Sequence, residues 1–236
     1  MPPMRIDPQI NAANITALGN FNPLIFRTDW FQAKEIVVGA DFDNAKIDIL
    51  HADVSSFRLP WGQMHVDRDR FQISANREPL IRVCDFFVKT FQFLPETPIR
   101  AFGINREVHF DAGTANRWES IGDMLAPKQF WGDFLRAEDG TKLGGMRVLV
   151  MEQAITVRGR STRQDGLHGW IRVHIEPSVV LPNGVFVLVN NHFDLMEGDL
   201  PADGRRAVEL ALEKWDMSLA QAEGLVDRTM GLAIGS

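Results

Sequence analysis

Trp170-Ile171-Arg172-Val173-His174-Ile175-Glu176-Pro177-Ser178-Val179-Val180-Leu181-Pro182-Asn183-Gly184-Val185-Phe186-Val187-Leu188-Val189-Asn190-Asn191-His192-Phe193-Asp194-Leu195 reads as two β-strands joined at a turn. Apolar and polar residues alternate on both sides of Pro182-Asn183-Gly184, the period of a strand with two unlike faces. That tripeptide suits a three-residue hairpin loop, a type I turn followed by a left-handed glycine. Leu181 then pairs with Val185, Arg172 faces Asp194, His174 faces His192 and Glu176 faces Asn190. Opposite partners share a face, so these six polar residues are expected together. The other face receives Ile171, Val173 and Ile175 opposite Leu195, Phe193 and Asn191.

In this register two imidazoles stand roughly 5 Å apart at Cβ, with Glu176 and Asp194 beside them. His174 and His192 so placed can bind a divalent metal or handle protons. Arg172, His174, Glu176, Asn190, His192 and Asp194 are therefore candidate ligand-binding residues, and their face a candidate pocket floor. The plainer alternative is a wet sheet face on which Arg172 and Asp194 form a surface ion pair. The preceding loop, Arg158 to Gly166, adds Arg158, Arg160 and Arg163. Their guanidinium forks suit an anion if the loop closes over that face; otherwise it is a solvated hairpin tip.

Working outward, Met146 to Val157 reads as another strand, apolar on both faces and expected to be buried on both. From Ala202 onward, Val208, Leu212, Trp215, Leu219, Ala222 and Val226 recur at spacings of 4, 3, 4, 3 and 4, a long amphipathic helix. Ser218 with Gln221 makes a capping-box signature, so a break near Asp216 is an option. An unbroken helix of this length would overhang a small sheet, which makes Trp215, Leu219 and Val226 candidate interface residues. A packed core helix anchored by Trp215 is the plainer alternative.

Upstream, Lys46 to Ala75 carries strand-like runs at Ile47–Leu50, Val54–Leu59, Met64–Val66 and Phe71–Ile73, separated by turn residues. Leu80, Cys84, Phe87, Phe91 and Leu94 mark a helix over Glu78–Leu94, with Pro79 in its first turn and Pro95 at its end. Ile99 to Phe110 reads as a strand. Trp118, Ile121 and Leu125 suggest a helix ending before Pro127, followed by a short turn through Phe130-Trp131. Thr28 is a candidate N-cap for a short helix reaching Ile36. The first ~20 residues are weakly patterned and are expected to lie loosely on the surface.

The fold class expected is α+β: a meandering antiparallel sheet, or sheets, with helices packed on one face and a long C-terminal helix. The expectation is one domain over residues 1–236. Two similar halves, about 40–112 and 144–232, are conceivable, although no repeated motif supports them.

Bulk composition narrows function mostly by exclusion. With 45% hydrophobic and 24% charged residues the 236-residue chain is an ordinary globular one, not a disordered chain or a disulfide scaffold. The net charge of −6 makes nucleic acid an unlikely partner. No apolar run approaches the roughly 18 residues of a membrane span, and no secretory signal pattern opens the chain. With its single cysteine, this points to the cytoplasm. There is no Tyr to act as acid or base. Cys84 lies on the apolar stripe of its helix and reads as an inert thiol. Asp41-Phe42-Asp43 is too short for a calcium loop. Nucleophile-elbow, zinc-protease, paired-cysteine, dinucleotide and phosphate-loop motifs are all missing. The expectation is thus a non-enzymatic binding or assembly protein that self-associates and needs no cofactor. The alternative is a small-molecule- or metal-binding protein, or an enzyme, with a pocket floored by the His174/His192 face.

Overall fold

A computed structural model describes residues 6–135, 138, 144–157 and 160–234. In chain order the strands are β1 (Ile10–Gly19), β2 (Lys46–Leu50), β3 (Val54–Leu59), β4 (Gly62–Asp67), β5 (Arg70–Ala75), β6 (Ile99–Asp111), β7 (Leu149–Gln153), β8 (Ile155–Val157), β9 (Arg160–Thr162), β10 (Gly169–Pro177), β11 (Gly184–Asp194), β12 (Met196–Glu197) and β13 (Leu200–Pro201). The helices are α1 (Thr28–Ala33), α2 (Ala40–Asp43), α3 (Ile81–Phe93), α4 (Ala115–Leu125) and α5 (Gly204–Ile234), with a 3-10 segment at Lys128–Leu135. Nine strands form one antiparallel sheet in the order β2-β3-β4-β5-β1-β6-β11-β10-β7, and the long helices pack on one of its faces. The α+β architecture with a long C-terminal helix is therefore as expected.

The N-terminal segment is not loose. β1 lies between β5 and β6, pairing Ile15 with Ile73 on one side and with Ile104 on the other. Its inward side chains, Ala13, Ile15 and Ala17, are fully buried. Alanine and asparagine have weak strand preference, which hides the pattern, yet small side chains suit a strand lying directly beneath a helix. At the sheet's end the reverse holds. β7 is an edge strand whose residues are mostly exposed, not buried on both sides.

α3 starts at Ile81, after Pro79 rather than around it, and buries Val83, Cys84, Phe87 and Phe91. α1 opens at Thr28 without a side-chain cap and stops at Ala33. α5 is continuous for 31 residues, with Ser218 buried inside it rather than capping a second helix. At 1.5 Å per residue it runs about 46 Å. It lies over β6 and packs against α3 and α4, so it is supported along nearly its whole length.

Two apolar clusters result. The larger gathers Phe26 before α1, Phe31 of α1, Phe71 of β5 and Phe87 and Phe91 of α3, together with Trp215 of α5. The smaller joins Val108 and Phe110 of β6 to Ile121 of α4, to Ile175, Val185 and Val187, and to Ala222, Val226 and Met230 of α5.

Arg106 of β6 stands between them on the helix-bearing face, 2% exposed. Its Nε donates to Glu223 at 2.6 Å, and Nη1 donates to the carbonyls of Ala12 and Glu107, both at 2.9 Å. Nη2 donates to Asn11 Oδ1. One guanidinium thus ties β1, β6 and α5 together. Glu223 keeps 29% side-chain exposure and can rehydrate if left alone, whereas Arg106 cannot. Glu223→Leu should therefore destabilise the chain by about 3–5 kcal/mol in urea unfolding, and Arg106→Met by less. The reverse order would show that packing, not charge, dominates here.

Candidate functional site

The β10–β11 hairpin forms, but its register differs from the expected one by four residues. Pro177 pairs with Val185, Glu176 with Phe186, His174 with Leu188, Arg172 with Asn190 and Trp170 with His192. Ser178 is the cause. Its Oγ accepts the N–H groups of Val180 and Leu181, both at 3.2 Å, and its own N–H donates to Gly184 O at 2.8 Å. The loop is thereby widened to Ser178–Asn183. Leu181-Pro182-Asn183-Gly184 closes it, with proline second and Asn183 at φ +51° third, a type II pattern. Gly184 is not the left-handed residue. A Cβ there would lie 2.5 Å from Leu181 Cβ, so close approach is what requires glycine.

Because the shift is even, the six expected residues keep their common face but lose their partners. His174 and His192 now stand four residues apart along the strand direction, about 13 Å, too far to share a metal ion. Among the described residues no group of three or more His, Cys, Asp or Glu is placed to hold one. His174 packs edge-on against Phe186, with Nε2 3.3 Å from Glu176 but not aligned for a hydrogen bond. Arg172 pairs with Glu152 of β7 at 2.6 Å, not with Asp194. Asp194 is exposed, its backbone N–H held by His168 O.

The loop before the hairpin also lies elsewhere. Arg163 is 3% exposed and stacks on Phe193, 4.3 Å from its ring centroid, with Nη2 3.3 Å from Asn191 Oδ1. Phe193 and Asn191 belong to the helix-bearing face, so this guanidinium is spent on the core side and cannot cover the histidines. Asp165 pairs with Arg163 at 3.3 Å and Lys214 at 3.5 Å, anchoring the loop to α5. Burial pushes the Asp165 carboxyl up, yet the two cations and its hydrogen bonds outweigh it and hold the group below the usual carboxylate range. Arg158 lies outside the described residues, as does the side chain of Arg160. Trp215 and Val226 are buried in the two core clusters and Leu219 packs against the first, so all three contact their own chain.

The observed register creates a feature that no local pattern announces. Lys46, Arg58, Gln63, Ser74, Asn14, Asn105, Asn190, Arg172 and Glu152 are successive cross-strand partners, one on each of the nine strands. They form a polar row across the face opposite the long helices. Its flanks are neutralised by Arg58–Asp48 at 2.7 Å and Arg172–Glu152 at 2.6 Å. At its centre Asn105 Nδ2 donates to Asn14 Oδ1 at 2.7 Å, while the buried Asn190 Oδ1 has no partner. The neighbouring row ends in a three-tier stack, with the Arg172 guanidinium 4.0 Å from the Trp170 ring centroid and His192 parallel to the indole at 4.5 Å.

A second feature is a cavity of 230 Å³ on the helix-bearing side, between α4 and the ends of β10 and β11. Of the residues expected from sequence, Glu176 alone lines it. Trp118 and Ile121 were legible only as helix-face residues, with nothing to say what they would face.

Burial, assisted by Arg172 and Arg163 and opposed by Asp194, holds the His192 imidazole below its ordinary value of 6.5. The unfolded chain therefore takes up this proton first. The contribution of neutral His192 to stability is present above about pH 6.5 and is lost as pH falls through the folded-state value. In urea unfolding, His192→Gln should lose less stability than the native chain between about pH 7.5 and pH 5; equal losses would contradict this. Burial first, then Asp85 and Asp216, pushes the Cys84 thiol up to about 12. A thiol reagent should thus leave Cys84 unmodified in the folded chain at pH 8 and label it in urea. Compared with known proteins, the chain matches no family model and no curated sequence.

Proposed function

We propose that the chain is a non-enzymatic binding and assembly protein of the cytoplasm that works as a homo-oligomer. The observation that carries this reading is the edge strand β7. Val150 is 50% and Met151 60% exposed, and as successive residues they project from opposite faces of the strand. Val148 and Ile155, on either side, are 52% and 62% exposed. An apolar edge with unpaired backbone groups is a template for another strand unless a charge, a proline or a bulge blunts it. β2, at the other edge, has such protection in Lys46 and in a register shift between Ile47 and Ile49. β7 pairs with β10 without a shift, and its one charge, Glu152, is turned back onto Arg172.

Antiparallel pairing of β7 with β7 of a second copy, about a two-fold axis normal to the sheet, would extend the sheet and keep the polar rows on one side. Two-fold contacts of this self-complementary kind are the commonest in soluble oligomers. Phe130 and Phe134, 85% and 78% exposed, add apolar surface after α4. The location rests on lesser support. Cys84 is a buried free thiol, and no helix among the described residues is long and apolar enough to cross a membrane.

Light scattering on the purified chain should give a mass near twice 26.6 kDa. Val150→Lys combined with Met151→Glu should return it to one chain mass while leaving the far-UV spectrum unchanged. A native chain that stays monomeric at high concentration would refute the reading.

A further inference from the structure

Near its start β1 turns only small side chains toward the open face of the sheet. Ala12 and Asn14 stand there, because Ala13 and Ile15, which alternate with them, are buried in the core. Ala12 pairs with Glu107 of β6, and Ala13 pairs with Ala75 at the end of β5. The short Ala12 side chain therefore leaves a dip, with Glu107 on one side and Asn76 on the other. This dip belongs to a cavity of 390 Å³ that takes in Gln63, Gln72, Ser74 and Arg77. Small-molecule sites span roughly 300–1,000 Å³, so the volume is sufficient.

The amides of the lining are held in place from outside the cavity. Asn14 Oδ1 accepts from Asn105 Nδ2 at 2.7 Å and from Thr16 Oγ1 at 3.2 Å, which leaves the Asn14 amino group to donate. Gln72 Oε1 accepts from Arg70, so its amino group is likewise the end on offer. Gln63 is held the other way round. Its Nε2 donates to Ser56 Oγ at 3.3 Å, and its Oε1 is left to accept. The Ser74 hydroxyl donates to Gln63 O at 3.3 Å and keeps a lone pair for a ligand. Donors and acceptors are thus interleaved in set orientations.

Charge and polarity then select the occupant. The charged lining is Arg58, Arg77 and Glu107. Arg58 is already engaged with Asp48 at 2.7 Å. One charge of each sign remains, Arg77 just after β5 and Glu107 on β6, so neither an anion nor a cation is favoured. Among the described residues no aromatic ring lines the cavity, and Ala13, Leu59 and Ala75 belong to the core cluster behind it. An apolar ligand would therefore bury little. A neutral molecule dense in hydrogen-bonding groups fits best. Each sugar hydroxyl both donates and accepts; a carboxylate accepts from two neighbouring hydroxyls, and a guanidinium donates to two.

We propose that this cavity binds a neutral sugar of one or two rings, its hydroxyls on Asn14, Gln63, Gln72 and Arg77 and a hydroxyl pair on Glu107. The site gives the binding half of the assembly reading a ligand but does not rest on β7 pairing. Val150→Lys combined with Met151→Glu should accordingly bind the same sugar with unchanged affinity.

The test is calorimetric titration of the full chain with glucose, galactose, mannose, maltose and lactose. Saturable one-to-one binding of at least one is expected, with a dissociation constant below about 1 mM. A dipolar probe, γ-aminobutyrate, an anionic one, succinate, and a cationic one, putrescine, should show no saturable binding. Ala12→Phe, which fills the dip with a residue suited to a strand, should abolish sugar binding without lowering the unfolding midpoint. Arg77→Ala, at an exposed position, should weaken it several-fold. Absence of saturable binding of every sugar to the native chain would overturn the proposal. So would a charged probe binding as tightly as the sugar, or undiminished binding to either variant.

Discussion

The arrangement of this molecule depends on one buried cation. Arg106 sits where an aliphatic residue would have merged two apolar clusters into one, and it satisfies its donors with groups from three separate elements. Burying a guanidinium is costly unless its partners are well placed. The partners can only be well placed if β1, β6 and α5 are in register. A slip of α5 by one turn would carry Glu223 about 5.4 Å from the guanidinium. Apolar contacts alone would tolerate such sliding, since Ala222, Val226 and Met230 repeat along one helix face. The ion pair supplies the registration that the greasy surfaces lack.

Much of the architecture was legible because hydrophobic period is a local property. The α3 stripe, the four strands between Lys46 and Ala75, the β10 and β11 faces and the α5 stripe could all be read from spacing. What was illegible depended on contacts distant in sequence. β1 carries alanines and asparagines, whose fitness for a central strand shows only once two neighbours and a helix are in place. The expected three-residue turn failed on Ser178, a hydroxyl whose two backbone hydrogen bonds add residues to the loop without disturbing the alternation on either side. The faces were therefore right and the partners wrong. A supposed pair of histidines came apart for that reason alone. Arg163 failed differently: charge suggested solvent, whereas the guanidinium found an aromatic ring and an amide on the core side.

The two faces of the sheet solve different problems. One is closed by helices and holds both clusters. The other carries, at a single level, a residue able to hydrogen-bond on every strand, from Lys46 to Glu152. Arg58 and Arg172 are matched by carboxylates, and the middle is made of amides, so the row is wet without being strongly charged. Such a surface resists non-specific apolar association across its breadth. Within the nine-stranded sheet the exposed large aliphatic groups fall on the edge strands β2 and β7, where backbone geometry can select what attaches.

The position of β1 bears on how the chain reaches this state. β1 lies between two strands that follow it in the chain, Ile10 meeting His109 across the β1–β6 ladder. The carboxylate that fixes them in register, Glu223 of α5, lies 117 residues beyond Arg106 in the chain. α3 covers β1, but the Arg106 side chain finds its carboxylate only on α5. Long loops must therefore close before these contacts form. Registration of the three elements is thus a long-range contact, made only once α5 is seated on β6.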